Sequence, residues 1–543
     1  MYFTLAISAA SAARCAVLAD AARGADPRVM PIPGPARVAW RAADGRATLL
    51  YWGGQAPADS PSGGTGHAGT IWTDGAAVRA RAALTRVDPV YLAEVPGAVV
   101  TSDRASWAAA VAGRLRDPDP VMIGAFLSLG YPLGGATPFR GVRALGGDRC
   151  LRAAAGRLVV TRADSDRPAG LGRAASGGAD GADRVAQALT AAVRPLAGPV
   201  QLSLTGGKDS RLVAAALTAA QVPFVARTHG FAGHPDVIVA RLIASRLGLE
   251  HTVTEPAAPG APDEEAVLTR LRATVLVSDG MLSAFENVGR PDPPPAGERV
   301  EAGGHGGELL RGGYAQAAWR TPAALGAAAA AELLRRMTTR RLGLLRPDAA
   351  RAYLASLAPA AAALARGPLA ALDDFYLANR AGRWSAAARQ AYLLRSPLAQ
   401  PLFADPVVRA ARAAPLRYRV GDGLHRDVLG LLCPELLDIP LAGTPWHGEP
   451  RTPATVVVPA TVVAAAPGPA AADWRRDPAG IVAGFLRGYV LDHSEASPLF
   501  GFVSRRSAER SLAPPQADPQ AAWILATLAA LLSGDWLSAR ESR

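Results

Sequence analysis

Of the 58 lysine and arginine residues in this chain, one is a lysine, Lys208, and it lies in the run Leu204-Thr205-Gly206-Gly207-Lys208-Asp209-Ser210. A chain that writes arginine at every other cationic position keeps one compact, strongly hydrated ammonium here, which points to chemistry at this turn. Gly206 and Gly207 lack Cβ atoms, so their backbone can approach phosphate oxygens closely. Asp209 follows at once, and a carboxylate beside a phosphate cradle calls for a divalent cation between the two anions. The residue types therefore describe a magnesium-nucleotide site. A Walker A loop is excluded, because G-x-x-x-x-G-K-[ST] does not occur.

Two elements must position that turn. Residues 199–204 alternate over a short stretch, which predicts a strand. Leu212, Ala215, Ala216 and Leu217 recur at helical spacing and stop near Gln221-Val222-Pro223. The chain reads strand, glycine turn, helix. The first N–H groups of that helix have no internal partner, and the helix dipole adds positive potential, so an anion fits there.

The run Thr-Gly-Gly-Lys-Asp-Ser after an apolar strand resembles the S-G-G-x-D-S loop of the asparagine-synthetase-like ATP pyrophosphatases, with Thr205 in the first serine position. Three further stretches are similar to that family in order. Phe224 to Gly230 (Phe-Val-Ala-Arg-Thr-His-Gly) and Asp236 through Leu247-Gly248-Leu249-Glu250-His251 resemble its second strand, adenine-side turn and following helix. Gly303-Gly304-His305-Gly306-Gly307-Glu308-Leu309-Leu310-Arg311-Gly312-Gly313-Tyr314 resembles its G-E-G-x-D-E-L-F-G-G-Y loop. Thr137-Pro138-Phe139-Arg140-Gly141-Val142-Arg143-Ala144-Leu145 resembles the T-P-F-x-G-I-x-x-L segment that closes its amino-terminal domain.

The resemblance implies an α/β protein. Residues 1–165 would form a degenerate class II amidotransferase-like (Ntn) α+β sandwich and 166–183 a linker. Residues 184–450 would form a PP-loop ATP pyrophosphatase domain with a parallel sheet, followed at 451–543 by a mobile Pro/Ala segment and C-terminal helices. It implies ATP and Mg2+ as cofactors, with Leu204 through Ser210, the turn Thr228-His229-Gly230 and Gly304 against the nucleotide and Asp209 and Glu308 on the metal. Asp279, in Ser278-Asp279-Gly280, reads as standing at the carboxyl end of a strand, where ligands of open α/β sheets gather, and so against ATP or the metal. Glu308 keeps the carboxylate of the family's second metal-binding aspartate on a longer arm. Lys208 would neutralise departing pyrophosphate. His305 stands where amidating relatives carry glutamate and β-lactam synthetases carry tyrosine, and a neutral imidazole can take a proton from an attacking amine.

The chain also departs from the family. The late R-x-K lysine that stabilises the adenylate has no equivalent in Asp438-Ile439-Pro440-Leu441-Ala442-Gly443, so Arg311, Arg395 or Arg426 is the candidate replacement. E-x-R-x-P-F-L-D survives loosely in residues 396–405. Glutamine-dependent relatives carry a cysteine after the initiator methionine; here it is Tyr2, which predicts no glutaminase activity and an amine that arrives with the substrate. Ring-forming relatives, the β-lactam synthetases and lasso-peptide macrolactam cyclases, are the nearest in character. The expected substrate is a precursor peptide whose Asp or Glu side chain is adenylated and attacked by its own freed α-amine. A leader-peptide-binding protein and a leader peptidase would be its partners. The alternatives are a small-molecule amide or β-lactam synthetase, a tRNA-modifying PP-loop enzyme, which should carry its loop near the amino terminus and paired catalytic cysteines, and a catalytically dead peptide-binding scaffold.

Composition sets the bounds. A length of 543 residues, half of them apolar, allows more than one core. Cys15, Cys150 and Cys433 are odd in number and far apart, which argues against a disulfide framework or zinc cluster. The net charge of +12 comes from dispersed arginines without interleaved aromatics, so no nucleic-acid partner is expected. No apolar run reaches membrane length, the best candidate at 456–472 being broken by prolines, and no basic region precedes the small residues near Met1. A cytoplasmic location is the expectation. Short β-like runs at 47–52 and 97–101, a mobile loop at 57–70, alanine-rich helix from about 322, and terminal helices at 481–490 and 521–532 complete the reading.

Overall fold

The computed structural model describes residues 3–10, 12–23, 48–52, 69–73, 77–162, 178–196, 199–255, 263–286, 299–319, 326–393, 397–447, 474–476, 480–493, 498–513 and 518–538. The readings that rest on Tyr2, on the loop at 57–68 and on the Pro/Ala tract at 456–472 lie outside the described residues.

Among the described residues the amino-terminal part carries nine strands: β1 (Phe3–Ala9), β2 (Thr48–Trp52), β3 (Thr70–Thr73), β4 (Val78–Arg81), β5 (Tyr91–Val95), β6 (Ala98–Ser102), β7 (Val142–Ala144), β8 (Arg149–Ala154) and β9 (Arg157–Arg162). They form two antiparallel sheets, ordered β2-β1-β6-β5-β7 and β3-β4-β8-β9. Period-two alternation decides which side chain goes where. Ala6, Leu92 and Val99 point between the sheets and pack on Ile71, Val78 and Leu151. Leu5, Ile7, Ala9, Tyr91, Ala93 and Val100 point the other way, into a core shared with the helices Ala105–Val111 and Pro120–Leu129. That core continues into Glu264–Ser278 and the C-terminal helix Pro519–Ser533, where Trp523, Leu525 and Leu528 are buried. The C-terminal helices thus hold the amino-terminal sheets against the rest of the molecule.

The second body is a five-stranded parallel sheet of β10 (Val200–Ser203), β11 (Phe224–His229), β12 (His251–Thr254), β13 (Val300–Gly303) and β14 (Leu398–Ala399), in the order β12-β11-β10-β13-β14. From β10 the chain winds outward through β11 and β12, then returns to the opposite side of β10 to lay down β13 and β14. The winding direction reverses between β10 and β13. At such a switch point the loops leaving the carboxyl ends of the two strands part and open a crevice, the usual ligand site of open α/β sheets.

Helix Gly178–Val193 begins inside the stretch that composition assigned to a linker ending at residue 183. Ala182, Val185, Ala186, Leu189 and Val193 recur at helical spacing and pack in the core around the parallel sheet, so tertiary burial overrides the glycine- and aspartate-rich composition. The expected alanine-rich helices after β13 are present, as are the terminal ones at Ile481–Gly488 and Pro519–Ser533. No helix among the described residues is long and apolar enough to cross a membrane.

Candidate active site at the sheet switch point

β10 delivers Leu204 to the crevice floor. Leu204 is fully buried, and its backbone is consumed by the sheet: its N–H donates to Arg227 O at 2.9 Å and its carbonyl accepts from Thr228 Oγ1 at 2.7 Å. Leu204 and Thr228 therefore shape the turn from beneath. Thr228 is 2 % exposed, with its hydroxyl also 2.8 Å from His251 Nε2, whereas His229, which ends β11, is exposed and Gly230 after it is half-buried.

The turn itself is tied by its own hydroxyls. Thr205 N–H donates to Ser210 Oγ at 3.1 Å, and Gly207 N–H donates to Thr205 Oγ1 at 3.3 Å. Gly206 N–H donates to Asp236 Oδ1 at 3.0 Å, from the first turn of helix Pro235–Arg246. Gly207 then caps helix Lys208–Ala219 with no side-chain hydrogen bond. The first-turn N–H groups are left for an outside acceptor, as an anion site at a helix start requires.

The loop after β13 closes on this turn from the other side of the crevice. A Cβ at Gly304 would lie 2.5 Å from Ser210 N, and one at Gly307 would lie 2.1 Å from Asp209 Oδ1, so both must be glycine for the loops to meet. Gly306 adopts φ of 99°, a conformation that side chains disfavour. Asp209, 22 % exposed, receives Arg311 Nη2 on both oxygens, at 2.7 and 3.0 Å. Burial pushes the Asp209 carboxyl up from its ordinary range, while the Arg311 guanidinium and the Lys208 ammonium pull it back. Glu308 is exposed. Its charge helps raise Arg311, and with burial it raises Tyr376.

Lys208 faces inward, contrary to the outward orientation typical of such side chains. It is 8 % exposed, and its Nζ donates to Asp422 Oδ2 at 2.7 Å and to Pro445 O at 3.0 Å, beneath the Trp446 ring at 4.8 Å. Burial lowers its pKa and Asp422 opposes that fall. Asp422 also accepts from Gln316 Nε2 at 3.1 Å and His447 N–H at 3.2 Å. His425, fully buried, donates from Nε2 to Lys208 O at 3.2 Å, which fixes its tautomer. Desolvation, reinforced by Arg311, drives it down to about 3, so it is neutral at physiological pH.

The segment 438–443 also reaches the site. Arg211, on helix Lys208–Ala219, donates to Leu436 O at 3.0 Å and to Ile439 O and Pro440 O at 2.5 and 2.7 Å. Ala442 N–H then donates to Gly206 O at 3.1 Å. No lysine comes from that segment; the ammonium comes from Lys208 and meets it at Pro445.

His305 sits in a recess, reached by solvent yet walled by protein. Desolvation lowers its pKa against the raising influence of Glu308 and Asp209. The ring is thus set up as a neutral proton acceptor close to the carboxylates.

Asp279 does not belong to this site, and its assignment to the nucleotide is corrected. It ends a helix, Glu264–Ser278, in the left-handed conformation with φ of 52°, and it is completely buried. Its carboxylate accepts from Arg104 Nε at 3.0 Å, Ser106 Oγ at 2.7 Å and Ala105 N–H at 2.8 Å, joining the amino-terminal part to the helical region. Breaking a buried pair of this kind costs roughly 3–5 kcal/mol. Asp279→Asn, which tolerates the same backbone conformation, is expected to lower stability by that order in a denaturant titration while leaving nucleotide binding by the folded fraction unchanged. A weakened affinity at unchanged stability would return Asp279 to the site.

Asp422, His425 and Trp446 are site residues that the motifs did not indicate, and Asp236 opens the family-like stretch to His251 without a role assigned to it. Asp236 had a local signal, since it opens a helix after the second strand; the others come from far along the chain. Among the described residues no three His, Cys, Asp or Glu side chains gather closely enough to hold a metal unaided. No protein-family model matches the chain, and no curated protein matches it either.

Proposed function

We propose that this chain is an ATP-dependent carbon–nitrogen ligase of the asparagine-synthetase-like ATP pyrophosphatase type, cleaving ATP to AMP and pyrophosphate. The observation that carries the reading is the meeting of two glycine loops at the switch point, where an uncapped helix start, Asp209, Arg311 and the inward Lys208 surround one crevice. In this reading the two antiparallel sheets are a degenerate amidotransferase-like domain and the parallel sheet is the synthetase domain.

Mg2+ fits the donor set, because it usually takes one or two carboxylates and completes its shell with phosphate oxygens and water. Asp209 and Glu308 would hold it, and when bound it supplies charge neutralisation at the phosphates. The turn's first N–H groups seat the phosphate oxygens. A substrate carboxylate oxygen attacks the α-phosphorus, the bond to the bridging oxygen breaks, and pyrophosphate departs. Arg311 and Lys208 supply positive potential where that charge develops, Lys208 taking the part that the late lysine plays in the family. An amine nitrogen then attacks the acyl carbon, AMP leaves, and His305 accepts the ammonium proton. The substrate we propose is a precursor peptide closed into a macrolactam through an Asp or Glu side chain, in lasso-peptide biosynthesis.

The test is product analysis with labelled ATP. AMP and pyrophosphate are expected, with pyrophosphate exchange into ATP stimulated by peptides bearing an internal Asp or Glu and a free amino terminus. Formation of ADP and phosphate would refute the ligase reading, and exchange stimulated by free amino acids alone would refute the peptide.

A further inference from the structure

Behind the β13 loop lies a separate cavity of about 160 Å³, lined by Glu286, His305, Trp384, Ser385, Tyr392 and Gln400. It is small, and its polar lining is one-sided. Glu286 supplies a carboxylate, and among the described residues no lysine or arginine lines the cavity to answer it. Among the described residues the Glu286 carboxylate makes no ion pair or hydrogen bond, and the Trp384 indole nitrogen is buried without an acceptor. The buried indole N–H calls for an acceptor that a ligand can bring, and the half-buried Glu286 carboxylate stands open to a donor. An ionised carboxylate only accepts hydrogen bonds, so the missing partner is a donor, and the charge makes it a cation.

The walls select the kind of cation. Trp384 and Tyr392 present aromatic surface, which attracts ammonium groups. Arg380 stacks 3.5 Å from the Trp384 ring centroid and holds the indole in place. The ten residues Tyr376–Ser385 form a π-helix, a winding that recurs at functional sites and here brings Trp384 and Ser385 to the cavity. His305 is shared, lining this cavity from the loop whose glycines touch Asp209 and Ser210.

We infer that this cavity binds a primary ammonium, the amino terminus that becomes the attacking nucleophile, with Glu286 as its counter-ion and His305 on the side facing the nucleotide crevice. The inference rests on the ligase reading for its biological meaning, but the binding chemistry can be tested without turnover. Glycinamide, a minimal amino terminus, is titrated into the full-length protein by ligand-observed NMR, alongside N-acetylglycinamide, which lacks the charge.

Saturable binding of glycinamide in the millimolar range is expected, with none for the acetylated compound. Glu286→Gln is expected to weaken it at least about tenfold, the scale of one charge-assisted hydrogen bond, while Mg-ATP affinity stays unchanged. Trp384→Leu should weaken it also and provides the answer if Glu286→Gln does not fold. Equal binding of the two amides, or unaltered glycinamide affinity in either folded variant, overturns the assignment, as does the absence of saturable binding. Loss of glycinamide binding in Glu286→Gln, with ADP formed instead of AMP, would keep the cavity assignment and remove the ligase reading.

Discussion

Asp209→Asn should abolish nearly all pyrophosphate exchange, with a fall of roughly 10²–10³ or more, the scale set by removing one group that stabilises transition-state charge. The reason lies in the position of this carboxylate at the start of helix Lys208–Ala219, against the β13 loop and under the guanidinium of Arg311 at 2.7 Å. Asparagine keeps the shape and loses the charge, so Arg311 is left facing Glu308 without its principal counter-ion. Asp209 is only partly buried and asparagine matches it in size, so unfolding midpoints should move little. Exchange kinetics and Mg-ATP affinity measured on the same preparation check both halves. Undiminished product formation would mean that the chain binds peptide without activating it.

Gly304→Ala should be as damaging, although it removes no functional group. Its Cβ would press on backbone atoms, 2.5 Å from Ser210 N and 2.7 Å from Asp209 C, and backbone in a helix start cannot swing aside as a side chain can. Overpacking of this kind costs about 1–3 kcal/mol. The cheaper relief is for the two loops to part, which moves Asp209 away from Arg311 and opens the phosphate turn. Mg-ATP affinity is expected to drop about a hundredfold. Gly443→Ala is the matched control, because a Cβ there meets nothing within 4 Å although the neighbouring Ala442 lies against Gly206. If Gly304→Ala binds nucleotide as the control does, the crevice is not where the phosphates sit.

Both predictions concern contacts within or between short loops, and those loops were open to sequence reading. The glycine turn at 204–210 is local: an alternating strand, two glycines and a helical pattern all fall within about two turns of chain on either side, so periodicity and glycine chemistry define it. The same holds for the strands Thr48–Trp52 and Ala98–Ser102 and for the terminal helices. The helix at Gly178–Val193 carried its spacing in plain view, yet its Gly, Ala and Asp content was read as a linker. Composition misled there because the stabilising term was burial against the parallel sheet, and a list of residue types does not contain burial.

Charge pairing was beyond the sequence. In a chain whose cations are nearly all arginine, nothing in residue type says that Arg311 would take Asp209, that Arg104 would take Asp279 across 175 positions, or that Lys208 would reach Asp422 across 214. Each of those pairs is set by which elements the sheet order and the shared core press together. The Asp279 reading failed for this reason: an Asp-Gly step looks alike at a strand end and at a helix end, and only the arrival of Arg104 reveals a buried tie between two parts of the molecule. The sequence alone determined that a glycine turn able to receive an anion stands between a strand and a helix. Tertiary structure decided which charges surround it, because electrostatic partners are chosen by proximity in space, and the chain brings that proximity about only when its apolar faces have packed.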